Sequence, residues 1–569
     1  MCSMVLRYLV CFMPCRSGLL MVETGPRRDS GVSRLFGIVA VLAAVVWTTW
    51  PLASNPAGMV MGAPPMETAR HLWALWAGLR DGPVVIDTTL IDFPSGIQWV
   101  LADPINLLWF APGAVSSGPT LGWNLVLVAS LVLAGAGAWL LARLFGAPPV
   151  ACWGAAVIAI LLPPLNHGLH TGMTEGMAAG WTALACAALW SALSREGWGP
   201  AALAGVLLGA CCWAGAYCAI HAALAGAALV LFRSIRGPSR LRTFVRALVV
   251  GGLAAAVGAP MVWMTMVSRG TELPGSFSAV ANVLAAPDLL RNRMLGADPG
   301  AILLPSPWPH AVYLGPVLLV LALLGARRAP PLAAAAFTLL VFGLGYYLQL
   351  GGQAVRVGGD LLMLPAGVLS QQLDVLGRAA RWHRAIGAAG VFLVPLAVLG
   401  FRDLLRRVGS TWHPPLWGVL CLAFGIEYTF LAPVGWPRPV LPEARGLAME
   451  LDEPGPILEV PLPSAFATRP GSHRDQALLA QVFHGHELAG DPLSGLRSNG
   501  RVIALAAVLN RSLEMGACAQ AESSLDEIRA QGFRWLIVHF RRHGLDPDNL
   551  QACLGPPRFE EHGSRAWEL

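Results

Sequence analysis

Residues Ala247–Val267 read Ala-Leu-Val-Val-Gly-Gly-Leu-Ala-Ala-Ala-Val-Gly-Ala-Pro-Met-Val-Trp-Met-Thr-Met-Val, without one charged side chain. A run of about 20 apolar residues matches the thickness of a hydrocarbon core. No water is available there, so the backbone must satisfy its own hydrogen bonds and the run is expected to be a membrane-crossing helix. Leu125–Leu144 repeats the pattern, with its single arginine, Arg143, next to its end.

Hydropathy and flanking charge extend this reading to about eleven spans. Their windows are 34–53, 120–144, 148–165, 175–194, 199–215, 217–233, 245–267, 310–326, 331–348, 384–401 and 413–431. Composition agrees: 55% of the chain is hydrophobic, 13% is charged, and the mean hydropathy is +0.58. A soluble domain carries about 25% charged residues. The expected fold class is therefore a polytopic α-helical membrane protein with a small soluble C-terminal α/β domain.

Every basic side chain outside histidine is arginine, because lysine is absent. That excludes lysine Schiff-base chemistry and a Walker A phosphate loop. The net charge of +6 sits mainly in short inter-span loops, which argues against a nucleic-acid partner. Those arginines also set orientation. Arg27, Arg28 and Arg34 precede the first span. Arg143, Arg195, the group Arg233 to Arg246, the pair Arg327/Arg328 and the set Arg402/Arg406/Arg407 recur at every second crossing. Short arginine-rich loops stay cytoplasmic. The expected arrangement is a cytoplasmic segment 1–33 and a multispan body 34–433 with long outer loops at 54–119, 268–309 and 349–383. An extracytoplasmic domain 434–569 follows, and the membrane is expected to be the cytoplasmic (inner) one. Met1–Leu20 has no small-residue cleavage site and reads as a misassigned start, with Met21 as the alternative.

Beyond 434, charge rises and apolar runs shorten to strand length. Ile457–Leu462 and Arg534–Phe540 are expected strands, Ser523–Ala530 a helix and Phe559–Leu569 a terminal hairpin. Of the cysteines, Cys518 and Cys553 alone fall in this domain, where an oxidising compartment permits a disulfide between them. No zinc-type spacing occurs, and His484-Gly485-His486 with Asp491 is a weak metal candidate.

The order of features resembles a known superfamily. The first span leads into an outer loop with an amphipathic stretch, Met66–Arg80, and then Asp92-Phe93-Pro94-Ser95-Gly96. Pro104 to Pro112, Trp123-Asn124-Leu125, Tyr313-Leu314-Gly315 and Gly377-Arg378-Ala379-Ala380-Arg381-Trp382 follow, and a soluble tail closes the chain. This is similar to the GT-C membrane glycosyltransferases. The resemblance implies a polyprenyl-phosphate (lipid-linked) sugar donor, an envelope acceptor on the outer face and an acidic base in the first outer loop. Related proteins often carry Gly-Asp after the first span, where this chain has Gly62-Ala63 and Glu67 as the nearest carboxylate.

Glycosyl transfer needs a carboxylate to take the acceptor proton and cationic donors for the leaving phosphate. Glu67, Asp92 and Asp103 are the expected catalytic carboxylates. His71 lies four residues from Glu67 on one helical face. The expected substrate-binding set is His71, His170, Glu175, Arg378, Arg381 and Arg384. The bland readings are helix-dipole compensation for Glu67, turn-making for Asp92 and Asp103, and headgroup snorkelling beside an interfacial Trp382 for the arginines. Glu427, inside the last span, is a further functional hypothesis. No cofactor is expected, and a divalent metal is left open. A non-catalytic relative acting in envelope polysaccharide assembly, and a transporter, are the alternatives.

Overall fold

The computed structural model describes residues 31–62, 67–237, 239–268, 296–305, 312–351, 353–373, 381–406, 408–431, 451, 453–460, 462, 478–479, 481–483, 485–489, 500–540, 545–561 and 563–569. Met1–Leu20, Arg378, His484 and Asp491 lie outside them.

A helix occupies each of the eleven apolar windows. These are α1 (Gly31–Thr49), α4 (Pro119–Leu144), α5 (Pro149–Leu161), the α7–α8 run (Thr174–Met177, Ala179–Ser194), α9 (Gly199–Trp213), α10 (Ala216–Arg236), α11 (Arg240–Ser268), α13 (Pro316–Ala326), α14 (Pro330–Gly343), α16 (Ala385–Leu405) and α17 (His413–Ile426). Proline opens several of them within the first turn, where its missing N–H costs no hydrogen bond. By length and apolarity, five described helices suffice to cross a membrane: Pro119–Leu144, Thr174–Ser194, Ala216–Arg236, Arg240–Thr265 and Trp382–Leu405. The pair Pro149–Leu161 and α6 (Pro163–Thr171), bent by 42°, makes a sixth if it is one span. Arg34–Thr49, Gly199–Trp213, Pro316–Ala326 and Pro330–Gly343 are apolar but shorter. Gly215, at φ 130°, separates α9 from α10, so the adjacent windows 199–215 and 217–233 hold two helices.

The centre of the body is α16, 94% of whose spanning window is buried inside the protein. It packs on α13, α14, α4 and α5. Gly325 on α13 faces Gly400 on α16, and a Cβ on either would run into the other helix's backbone. Small residues at such a crossing let two helices approach closely where lipid supplies no hydrophobic drive.

The elements of the long loops sit on this body. The amphipathic stretch is α2 (Glu67–Asp81), which buries Leu72, Trp73, Leu75 and Ala77. Strands β1 (Val85–Thr88) and β2 (Ile97–Val100) form an antiparallel pair, and α3 (Leu107–Ser117) returns to the body. Short elements follow in the later loops: α12 (Pro299–Leu303), the two-residue strand pairs β3–β4 and β5–β6 between Gln349 and Leu361, and α15 (Pro365–Gln372).

The tail carries a four-stranded sheet in the order β7–β8–β10–β9, made by Ile457–Val460, Trp535–Val538, Ser564–Glu568 and Phe559–Glu561. β7 and β8 run parallel and the rest antiparallel. Every residue of β7 and β8 is buried, as expected for strands covered on both faces. Helices α18 (Gly500–Met515), α19 (Cys518–Ala530) and α20 (Pro547–Leu554) supply Leu509, Leu513, Leu525 and Leu550 to one face. The strand, helix and hairpin windows read from the sequence coincide with β7, α19, β8 and β9–β10, whereas α18 and α20 were not foreseen. Cys518 and Cys553 form a disulfide with Cα atoms 4.6 Å apart, tying α19 to α20.

This sheet continues into the loop 82–106 between α2 and α3. Leu488 bridges Ile457 of β7, and its N–H donates to Leu90 O at 2.8 Å. The Phe93 N–H donates to Leu488 O at 3.2 Å, and the Phe93 ring meets Phe533 edge-on at 5.2 Å. Gln481 is fully buried at the same seam. Its Oε1 accepts from Trp73 Nε1 at 2.6 Å, and its Nε2 donates to Leu90 O and His486 O.

Candidate functional site

Three consecutive residues, Met173-Thr174-Glu175, organise the candidate site. They follow Gly172, which ends α6 in the left-handed region at φ 67° and presses against Thr68. That contact sets the start of α2 beside the turn. Glu67 is the first residue of α2, but its side chain lies outside the described residues.

Thr174 joins two residues of the first long loop. Its hydroxyl donates to Asp103 Oδ2 at 2.5 Å and lies 3.2 Å from His71 Nδ1. A threonine hydroxyl has one proton, which goes to Asp103, so His71 Nδ1 donates to Thr174. His71 Nε2 is then an acceptor whenever the imidazole is neutral. Asp103 is 1% exposed and also accepts from Asn106 Nδ2 at 2.8 Å, within the 3₁₀ turn Pro104–Asn106 that it precedes. Residues far apart in the chain thus share one hydrogen-bonded line.

Glu175 joins the other side of the site. It forms an ion pair with Arg384, whose side chain is 6% exposed against 19% for the carboxylate. The Arg384 guanidinium lies over the Tyr217 ring at 4.6 Å, and its Nη2 is 3.3 Å from Met173 Sδ. The Tyr217 hydroxyl accepts from the Arg381 backbone N–H at 3.1 Å, and Arg381 Nη1 is 3.9 Å from Met173 Sδ. Arg381 is half-buried, at the mouth of this arrangement.

Arg384, with its side chain 6% exposed, does not snorkel toward headgroups. Trp382 is fully buried, 5.6 Å from Phe342 and 6.4 Å from Tyr346, and His383 is buried beside it. The segment faces the protein interior rather than lipid headgroups.

No family model matches the chain, and no curated protein matches its sequence. Among solved structures, ArnT from Cupriavidus metallidurans in the apo state matches at a TM-score of 0.51 and 13% identity, covering 94% of this chain and 98% of that one. The same protein bound to undecaprenyl phosphate matches at 0.50 and 12%, covering 94% and 97%. The archaeal oligosaccharyltransferase AglB from Archaeoglobus fulgidus, in complex with an inhibitory peptide and a dolichol-phosphate, matches at 0.49 and 11%, covering 90% and 70%. The chain has a GT-C-like fold.

Within this GT-C-like frame the expected residues divide. His71, Asp103, Glu175, Arg381 and Arg384 meet around one turn. His170 stands on the last turn of α6, two residues before Gly172. Asp92 is buried on the loop that pairs with Leu488, with φ 56°. A short polar side chain tolerates that conformation. Thr174, Asn106, Met173 and Tyr217 escaped sequence reading, because none carries a charge and their partners are remote in the chain. Glu427 closes α17 at a π-helical turn, where its Oε1 accepts from Tyr313 Oη at 2.7 Å. Among the described residues no group of three or more His, Cys, Asp or Glu side chains is placed to hold a metal.

Proposed function

We propose that the protein is a membrane glycosyltransferase that moves a sugar from a polyprenyl-phosphate donor to an envelope acceptor on the outer face. The observation that carries this reading is the meeting of a buried carboxylate line, Asp103–Thr174–His71, with the Arg381/Arg384 arginines at one turn of a GT-C-like body. In the reaction, the acceptor hydroxyl attacks the anomeric carbon, its proton passes to a base, and the sugar–phosphate bond breaks toward the lipid phosphate. His71 Nε2, oriented by Thr174 and backed by the Asp103 charge, or the carboxylate of Glu67 or Asp92, takes the proton. Arg381, and Arg378 beside it in sequence, receive the developing phosphate charge. Arg384 and Glu175 neutralise each other, so their part is to hold Tyr217 and Met173 beside Arg381. His170 lines the acceptor side.

The same proposal includes about eleven spans, a cytoplasmic N-terminus, and the body 34–433 in a bacterial inner membrane. It also places the tail 434–569 as an extracytoplasmic α/β domain.

Incorporation of label from a polyprenyl-phosphate sugar into lipid-extracted envelope acceptor tests this directly. Asp103→Asn keeps the shape and the Asn106 contact but removes the charge behind His71, and transfer is expected to fall by about 10²–10⁴-fold. Undiminished transfer in that variant would remove the carboxylate line from the mechanism. A wild-type protein that supports envelope polysaccharide assembly without transferring label would favour the non-catalytic relative, for which Gly62-Ala63 is the sequence argument.

A further inference from the structure

The α7–α8 run, 21 residues from Thr174 to Ser194, carries the body from the candidate site to its far end, roughly 30 Å away at 1.5 Å per residue. A cavity of about 430 Å³ opens there, lined by Glu196, Trp198, Ser239, Leu241, Arg242 and Arg246. Its chemistry is divided. Arg246 forms the floor, 9% exposed, and donates through Nη1 to Ala192 O at 2.8 Å and to Arg195 O, closing the last carbonyls of α8. Arg242 stands at the rim with its side chain 62% exposed, and Ser239 is exposed beside it. Leu241 and Trp198 expose 74% and 59% of their surface on the same rim.

Charge decides what such a rim accepts. The loops and helix ends that frame it carry Arg195, Arg233, Arg236, Arg240, Arg242 and Arg246 against one carboxylate, Glu196. Glu196 is 3.4 Å from Arg242, yet its side chain is 90% exposed, so the pair is a weak surface contact that an anion can displace. α9 and α11, which begin at the cavity, pack together and present Leu203, Val206, Leu248 and Leu253 outward as an apolar face. An exposed cation and hydroxyl above an apolar helix face, with a tryptophan at the boundary, match a molecule with an anionic head and apolar chains.

We propose that this cavity binds the phosphodiester headgroup of an anionic phospholipid, with Arg242 and Ser239 on the phosphate and the acyl chains along α9 and α11. The site lies at the end of the body opposite the sugar-transfer cluster, and it stands whether or not the transferase reading holds.

Native mass spectrometry of the purified, delipidated full chain, titrated separately with phosphatidylglycerol, phosphatidylcholine and inorganic phosphate, tests the assignment. The expected result is retention of phosphatidylglycerol over phosphatidylcholine, weakened roughly fivefold in Arg242→Gln. Glu196→Gln removes the competing carboxylate and is expected to bind roughly as much more tightly. Because this variant gains binding, a fold defect cannot imitate the result. Arg236→Gln, which removes a charge from the same loops outside the cavity lining, is expected to leave retention unchanged. Equal weakening by Arg236→Gln and Arg242→Gln would overturn the site in favour of diffuse loop charge. Equal retention of phosphatidylcholine, or displacement of the lipid by inorganic phosphate, would overturn the lipid assignment.

Discussion

The two ends of the helical body each hold an arginine–glutamate pair, and the pairs differ in almost everything but chemistry. At the end that carries α2, Arg384 and Glu175 are 6% and 19% exposed, with the guanidinium stacked on Tyr217. At the other end, Arg242 and Glu196 are 62% and 90% exposed and 3.4 Å apart. Desolvation commits the first pair to each other, since the guanidinium is buried and the carboxylate is its counter-ion. Solvent leaves the second pair exchangeable. A charge in this protein is therefore architecture or binding capacity according to its burial, and residue type alone does not separate the two.

The largest expected effect comes from breaking the buried pair. Glu175→Gln leaves Arg384 buried without a counter-ion, and stability should fall by about 3–5 kcal/mol. Glu196→Gln should change it by about 0–1 kcal/mol. Replacing both buried partners, as Glu175→Leu with Arg384→Met, should recover most of the loss, because an apolar pair of similar volume carries no stranded charge. Thermal unfolding of the full chain in one detergent compares all three. Similar losses for Glu175→Gln and Glu196→Gln would erase the distinction between the ends.

Next in size is the disulfide of the tail. Cys518–Cys553 closes a sequence separation of 35 residues, and chain entropy assigns such a loop at most roughly 3–4 kcal/mol. Cys518→Ser with Cys553→Ser should lower the unfolding midpoint of the tail while leaving lipid retention at the arginine-rich end unchanged. Loss at both ends would mean that the body and the tail unfold as one unit.

A smaller effect is expected at the seam between the tail and the first long loop. Gln481→Leu removes the partner of Trp73 Nε1 and leaves it buried, a loss of about 1–3 kcal/mol. Because Trp73 shares α2 with His71, the variant should also slow sugar transfer. Transfer at the wild-type rate would show that the tail covers the site without positioning it.

The fold was legible where one dimension suffices. Apolar run length marks helices, and the runs Ile457–Val460 and Trp535–Val538 mark buried strands because both faces of the sheet are covered. Helix α18 was missed because residues such as Arg501 and Glu514 dilute its apolar face in a window rich in alanine. The candidate site was legible as residue types but not as partners. Nothing local relates His71 to Thr174 or Glu175 to Arg384, 209 residues away. The Arg381–Arg384 segment was ambiguous for a physical reason: arginine beside tryptophan looks the same at a lipid interface and in a buried site. Only the packing of Trp382 against Phe342 and Tyr346 separates them.

The smallest expected effect concerns pH at the tail seam. His486 is buried beside Gly455, with Nδ1 3.0 Å from Gly455 O, and its own carbonyl accepts from Gln481. Burial pushes its pKa below the usual 6.5, partly offset by the Gly455 contact. Between the lowered folded value and 6.5, the unfolded chain binds the proton and the folded chain does not. Stability therefore rises with pH across that window. The contribution is fully present above 6.5 and is lost as pH falls through the window. Comparing tail unfolding at neutral and mildly acidic pH in wild type and His486→Asn isolates it, because asparagine keeps hydrogen-bonding groups without titrating. The wild type should lose more stability than the variant on acidification. The same loss in both would assign the pH dependence to other groups and leave Gln481 as the seam's main polar tie.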